Sequence, residues 1–285
     1  MGAPVWLKLE SLQVTGSFKI RGAFFALAAE RESFARTGVA TCSAGNHGKA
    51  VAHAARELGV AATVYLPRNV DEAKHRAIVA LGARAILSAF DGYDDTEAWA
   101  IEEAAREGLP FLSAFDDERI MAGNGGTLAA EMLERLPDLG AVVCPVGGGG
   151  LAAGAAYYLK EKRPDARFIG VQLAASPGLR LSLDRGEAVT RLLPAETIAG
   201  ALEGGLGRKP FAVLRDRVDE VILIKESELR EAFRWMLDRH QYLIEPASAV
   251  AVAAVLTNKL APTRRPTALV ISGRNVSLET IRMLL

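Results

Sequence analysis

The 285-residue chain has no excess of either charge, since 34 Lys and Arg balance 34 Asp and Glu. Without a basic surplus there is no electrostatic footprint for a phosphate backbone, and nucleic acid is not the expected partner. Cysteine is scarce. Cys42 and Cys144 lie far apart, each inside an apolar strand-like run. They offer neither a metal-ligand spacing nor a disulfide framework, and both are expected to be packing thiols. No apolar run approaches the roughly 18 residues of a membrane span, and the opening MGAPVWLKLE lacks the basic-then-apolar order of a secretory leader. A cytoplasmic protein is expected. Low-complexity segments, fixed-period repeats and a Pro/Gly/Ser-rich linker are also missing, so composition alone leaves one domain or two open.

From residue 38 onward, short β-branched runs alternate with longer runs of helical period. That alternation predicts a parallel α/β sheet. The expected strands are 38–42, 61–66, 84–88, 141–146, 167–172, 220–224 and 267–272, mostly apolar throughout, as strands covered on both faces should be. The helices between them include 47–59, 71–82, 95–108, 125–136, 227–240 and 246–260. Tyr157-Tyr158 and Phe24-Phe25 fall at helical positions and are expected in the core. Ligands in such folds gather at the carboxyl ends of strands.

Four consecutive glycines, Gly147, Gly148, Gly149 and Gly150, follow one such strand and precede the helical run LAAGAAYYLKEK. They forfeit conformational entropy on folding, yet they let the N–H groups of a strand-to-helix turn converge on one anion, aided by the helix N-terminus. A tight turn alone needs one or two. Gly148, Gly150 and Ala153 also satisfy G-x-G-x-x-A. However, Gln172 stands where a dinucleotide fold places a ribose-binding acid, and no Lys-Ser/Thr pair follows the glycines. A monophosphate is therefore the expected ligand.

Three further segments stand at element starts. In Thr15-Gly16-Ser17-Phe18-Lys19, Ser17 is a natural N-cap, which places Lys19 in the first helical turn beside the positive end of the dipole. A dry site there would lower its pKa and make the amine a nucleophile toward an aldehyde; the same position also suits a surface lysine near a cap. Ser43-Ala44-Gly45-Asn46-His47 is a small-residue turn opening a helix, suited to a carboxylate or to plain capping. Ser272-Gly273-Arg274-Asn275 follows a strand, where a hydroxyl has the right chemistry to bond a ring nitrogen.

Together these residues resemble the tryptophan synthase β-like, fold type II pyridoxal-phosphate enzymes, specifically the threonine/serine dehydratase and serine racemase branch. The motifs are KLESLQVTGSFKIRGA, SAGNHGKAVA, AGNGGTLAAEML, PVGGGGLAAG, ETIAGALEGGLG, EPASA and SGRN, in the family's order over nearly the whole chain. The resemblance implies two three-layer α/β domains with mostly parallel sheets, a small one at 37–116 and a large one at 1–36 plus 117–285, with pyridoxal 5'-phosphate in the cleft between them. It implies a homodimer as well.

Carried over residue by residue, Lys19 holds the cofactor as a Schiff base and is the catalytic base, and Gly147 to Gly150 bind the phosphate. Phe18 flanks the ring, Asn46 bonds its 3-oxygen and Ser272 faces its nitrogen. Ser43, Gly45, Asn46 and His47 receive the substrate carboxylate. The implied reaction is β-elimination of the hydroxyl from L-threonine or L-serine, giving a 2-oxo acid and ammonia. Ala44 stands where the family's racemases carry serine, which favours dehydratase over racemase. A dehydratase of another hydroxy amino acid, such as threo-3-hydroxyaspartate or a hydroxyectoine-derived one, and a non-catalytic cofactor- or amino-acid-binding protein are the alternatives. Gln172 and Gly178 replace the two acids of the family's divalent-metal site, so no metal is expected. Arg274, Gly200 and AGNGG also depart from the pattern.

Overall fold

The computed structural model describes residues 2–193, 195–261 and 263–285. The chain divides into two compact units: one comprises the segment up to Phe18 with Asn124–Leu285, the other Lys19–Gly123. The first strand of the larger unit is β1 (Val5–Leu9). The smaller unit then runs α1 (Lys19–Ala29), α2 (Arg31–Thr37), β2 (Val39–Cys42), α3 (Asn46–Leu58), β3 (Ala62–Leu66), α4 (Glu72–Ala80), β4 (Arg84–Leu87), α5 (Tyr93–Arg106) and α6 (Glu118–Met121). Back in the larger unit come α7 (Thr127–Arg135), β5 (Ala141–Pro145), α8 (Gly150–Lys162), β6 (Arg167–Leu173), α9 (Gly178–Arg185), α10 (Arg208–Leu214), β7 (Glu220–Ile224), α11 (Glu226–His240), α12 (Pro246–Leu256), β8 (Thr267–Ile271) and α13 (Leu278–Leu284).

The smaller unit holds a parallel sheet in the order β2-β3-β4. Every residue of β2 and β3 is buried, because α3 and α5 both pack on these two strands. The segments 19–36 and 117–123 pack here too, with α1 against α3 and α6 against α1. Their apolar faces close one core through Ile20, Ala23, Leu27, Val51, Val64 and Ile120.

The larger unit holds a parallel sheet in the order β1-β8-β5-β6-β7. Its organising helix is α12, which has no polar face: Pro246 through Ala254 are all buried. Small residues let it lie across β5, β6, β7 and β8 with α11 over it, as a helix that is apolar all round requires. The seven strands expected from pattern form within a residue or two of their predicted ends, whereas β1 has no counterpart among them. It is an edge strand with Val5 and Trp6 exposed, and half-exposed edges lack the apolar run that marks a buried parallel strand. Both cysteines are buried. Phe25 and Tyr157, expected in the core, are exposed, and the Arg217 guanidinium lies 4.9 Å from the Tyr157 ring centre. Among the described residues no helix is long and apolar enough to cross a membrane.

Candidate active site

In the smaller unit the relevant groups stand at the ends of β2, α1 and α3. Lys19 is the first residue of α1, and its Nζ donates to the Ala114 carbonyl at 2.7 Å. Ser17 does not cap that helix. Its backbone is still extended, bridged antiparallel to Gly273, and its buried Oγ has no hydrogen-bond partner among the described residues. The helix begins two residues later, so the hydroxyl is out of register with the amides it was expected to cap.

Only three residues separate β2 from α3, and the Gly45 N–H donates to the Ser43 Oγ at 3.2 Å. The turn is so tight that a Cβ on Gly48 would lie 2.0 Å from the Ser43 carbonyl oxygen. Asn46 and His47 open α3, where the first N–H groups have no intrahelical acceptor. The His47 side chain is buried, with Nε2 3.4 Å from the Leu112 carbonyl and Nδ1 unpartnered among the described residues. Burial, reinforced by the positive charge of Lys19, lowers its pKa to about 3. The imidazole is neutral at physiological pH, so its charge plays no part in holding an anion.

In the larger unit the four glycines join β5 to α8 as expected. Gly149 adopts φ +91°, which L side chains rarely reach. A Cβ there would meet Leu206 Cδ1 at 2.7 Å and Pro210 Cβ at 2.8 Å, and one on Gly147 would meet the Ala201 carbonyl at 2.6 Å. The Gly207 N–H donates to the Gly148 carbonyl at 3.1 Å. Segment 201–210 thus backs the turn directly, leaving the 13-residue α8 with a glycine-lined N-terminus.

Ser272 follows β8 and is buried; its carbonyl accepts from the Phe18 N–H at 3.0 Å. Its Oγ lies 2.9 Å from the Ser248 Oγ and 3.5 Å from Glu245 Oε1. Ser248 belongs to α12 and is fully buried, and its hydroxyl also meets the Gly273 backbone, 2.8 Å from the nitrogen and 3.0 Å from the oxygen. The EPASA motif is visible in the sequence, but nothing in it assigns a role to Ser248 or Glu245. The available signal was a lone hydroxyl in an otherwise apolar helix.

A family model described as "Pyridoxal-phosphate dependent enzyme" matches residues 1–273. The chain belongs to that family. It is 39% identical over 282 residues to the L-threonine ammonia-lyase of Geobacter sulfurreducens, covering 99% of this chain and 69% of the relative. The crystal structure of a T.th. threonine deaminase superimposes with a TM-score of 0.87 at 35% identity, over 96% of this chain and 88% of that one. Serine racemase from Dictyostelium discoideum gives 0.89 at 31% identity, over 96% and 88%. This pyridoxal-phosphate enzyme has the tryptophan synthase β-like fold, with parallel sheets of five and three strands.

The residues present fit the cofactor. A turn that excludes Cβ atoms at the mouth of a helix suits a phosphate, and a buried serine hydroxyl at a strand end suits a pyridine nitrogen. Gln172, at the position that the resemblance gives to a metal-binding acid, is committed elsewhere: its amide donates to the Val146 carbonyl at 3.2 Å and accepts from the Arg180 N–H at 3.1 Å. The AGNGG segment forms a π-helical turn, a form frequent at functional sites. Gly123 and Gly125 are required there, because Cβ atoms would fall 2.7 Å from Gly22 Cα and 2.1 Å from the Leu151 carbonyl respectively.

Proposed function

We propose that this pyridoxal-phosphate enzyme is a dehydratase of small β-hydroxy amino acids, L-threonine and L-serine first, converting each to a 2-oxo acid and ammonia. Its likeness to L-threonine ammonia-lyase along nearly its whole length carries the reading, and the chemistry of its residues agrees with it. When bound, the cofactor supplies an electron sink for the pair left at Cα after proton removal.

Lys19 would carry the cofactor and, once the substrate amine replaces it, take the α-proton on Nζ. The Ala114 carbonyl accepts one Nζ–H, which restrains the position of the amine. Gly147 to Gly150 and the first turn of α8 would hold the phosphate, Phe18 would flank the ring and the Asn46 amide would meet its 3-oxygen. The Ser43 hydroxyl and the backbone around Gly45, Asn46 and His47 would take the substrate carboxylate, with His47 contributing through its N–H. Ser272 would face the ring nitrogen. A hydroxyl cannot keep that nitrogen charged as a carboxylate does, which favours prompt loss of the β-hydroxyl over transamination. Ala44 has no proton to deliver to Cα, which disfavours racemisation. The assembly we propose is a homodimer.

The test is 2-oxo acid release from a panel of hydroxy amino acids by the cofactor-loaded protein, with the enantiomer of unreacted substrate followed alongside. Product from L-threonine or L-serine with little racemisation is expected. Ala44→Ser should raise racemisation relative to elimination. A cofactor-bound protein that releases no product from any member of the panel would refute the proposal.

A further inference from the structure

We propose that Ser248 is a positioning residue: its hydroxyl donates to Ser272 and so holds the Ser272 proton toward the cofactor's ring nitrogen, keeping that nitrogen unprotonated. This rests on the reading that Ser272 faces the ring nitrogen and adds the group that decides which way its hydroxyl points.

Hydrogen-bond capacity supports the direction. Ser248 has one proton and two lone pairs. One lone pair is occupied, because the Gly273 N–H donates to Ser248 Oγ at 2.8 Å. Two acceptors compete for the proton, the Gly273 carbonyl at 3.0 Å and Ser272 Oγ at 2.9 Å. The Gly273 carbonyl already accepts the Glu245 N–H at 2.9 Å. When the ring nitrogen accepts the Ser272 proton, as the proposed function has it, Ser272 Oγ is left as an acceptor 2.9 Å from Ser248, and a Ser248 proton given to it leaves no buried partner unsatisfied. Position reinforces this. Ser248 lies in the first turn of α12 and is fully buried, so the helix packed across the sheet fixes its hydroxyl against the end of β8.

Without Ser248 the balance reverses. Glu245 Oε1 lies 3.5 Å from Ser272 Oγ, just beyond normal range, and a small rotation of Ser272 brings it into reach. A carboxylate only accepts, so the Ser272 proton would turn to Glu245 and a lone pair would face the ring. The ring nitrogen would then bind a proton from the medium.

The experiment loads the holoenzyme with pyridoxal phosphate labelled with ¹⁵N in the ring and reads the nitrogen resonance in wild type, S248A, S248C and S272A. The wild-type signal is expected in the unprotonated range. S248A should move it upfield into the protonated range, and S248C, which keeps volume but has a weak S–H donor, should move it the same way and serves if S248A does not fold. The proposal is overturned if S272A shifts the resonance while S248A or S248C leaves it at the wild-type position. If S272A itself causes no change, Ser272 does not face the nitrogen, and the underlying reading falls with the proposal.

Discussion

Replacing Lys19 with alanine is expected to abolish the visible absorbance of the lysine-bound cofactor and to lower 2-oxo acid release by more than about 10³-fold. General-base action by a positioned side chain is worth about 10²–10⁴-fold, and Lys19 is assigned the covalent anchoring of the cofactor as well, so the loss should reach the upper end of that range or pass it. Stability should change little. Nζ bonds the Ala114 carbonyl at a half-buried position, and a lost hydrogen bond of that kind costs about 1 kcal/mol. Thermal unfolding of the variant beside its spectrum separates chemical from structural loss. An unchanged spectrum would remove Lys19 from its assigned role.

Gly149→Ala should damage the phosphate turn more than any other single methyl group added there. Two costs combine. Left-handed backbone costs an L-residue about 1–2 kcal/mol, and Gly149 sits at φ +91°. The new Cβ would also lie 2.7 Å from Leu206 and 2.8 Å from Pro210, and overpacking of that kind costs about 1–3 kcal/mol. Part of the strain is relieved if the N-terminus of α8 shifts, which would weaken cofactor binding by about 10-fold for each 1.4 kcal/mol transferred. Gly186→Ala is the control, with φ +73° but nothing within 4 Å of its Cβ, so it isolates the backbone cost. Denaturant unfolding and cofactor titration of both variants check the expectation. Equal stability and affinity in wild type and Gly149→Ala would show that the turn is not held as described.

The buried strands were legible because their signal is local. β5 and β8 are apolar throughout, and both are buried at every position. β1 escaped because its meaning is not local: VWLKL is exposed at Val5 and Trp6 and only half-buried beyond them, and it is placed in the sheet by pairing with β8. The glycine turn was legible as a feature, while the reason for each glycine came from segment 201–210, more than fifty positions along the chain. Ser17 illustrates the opposite failure. A serine before a helical run reads as a cap, but the bridge to Gly273 keeps the chain extended past it. His47 read as a helix-start residue of undecided role, and only its burial against Leu112 shows it to be neutral. Ser248 was the least legible, since its partners Ser272 and Gly273 lie 24 and 25 residues away.

The central claim is that one lysine, Lys19, carries the cofactor. Borohydride treatment of the cofactor-loaded wild-type protein, followed by proteolysis and mass spectrometry, tests it most directly by fixing the cofactor on the residue that holds it. The phosphopyridoxyl mass is expected on Lys19 in the TGSFK segment, with no other lysine labelled to comparable extent. Labelling of a different lysine, with Lys19 unmodified, would contradict it.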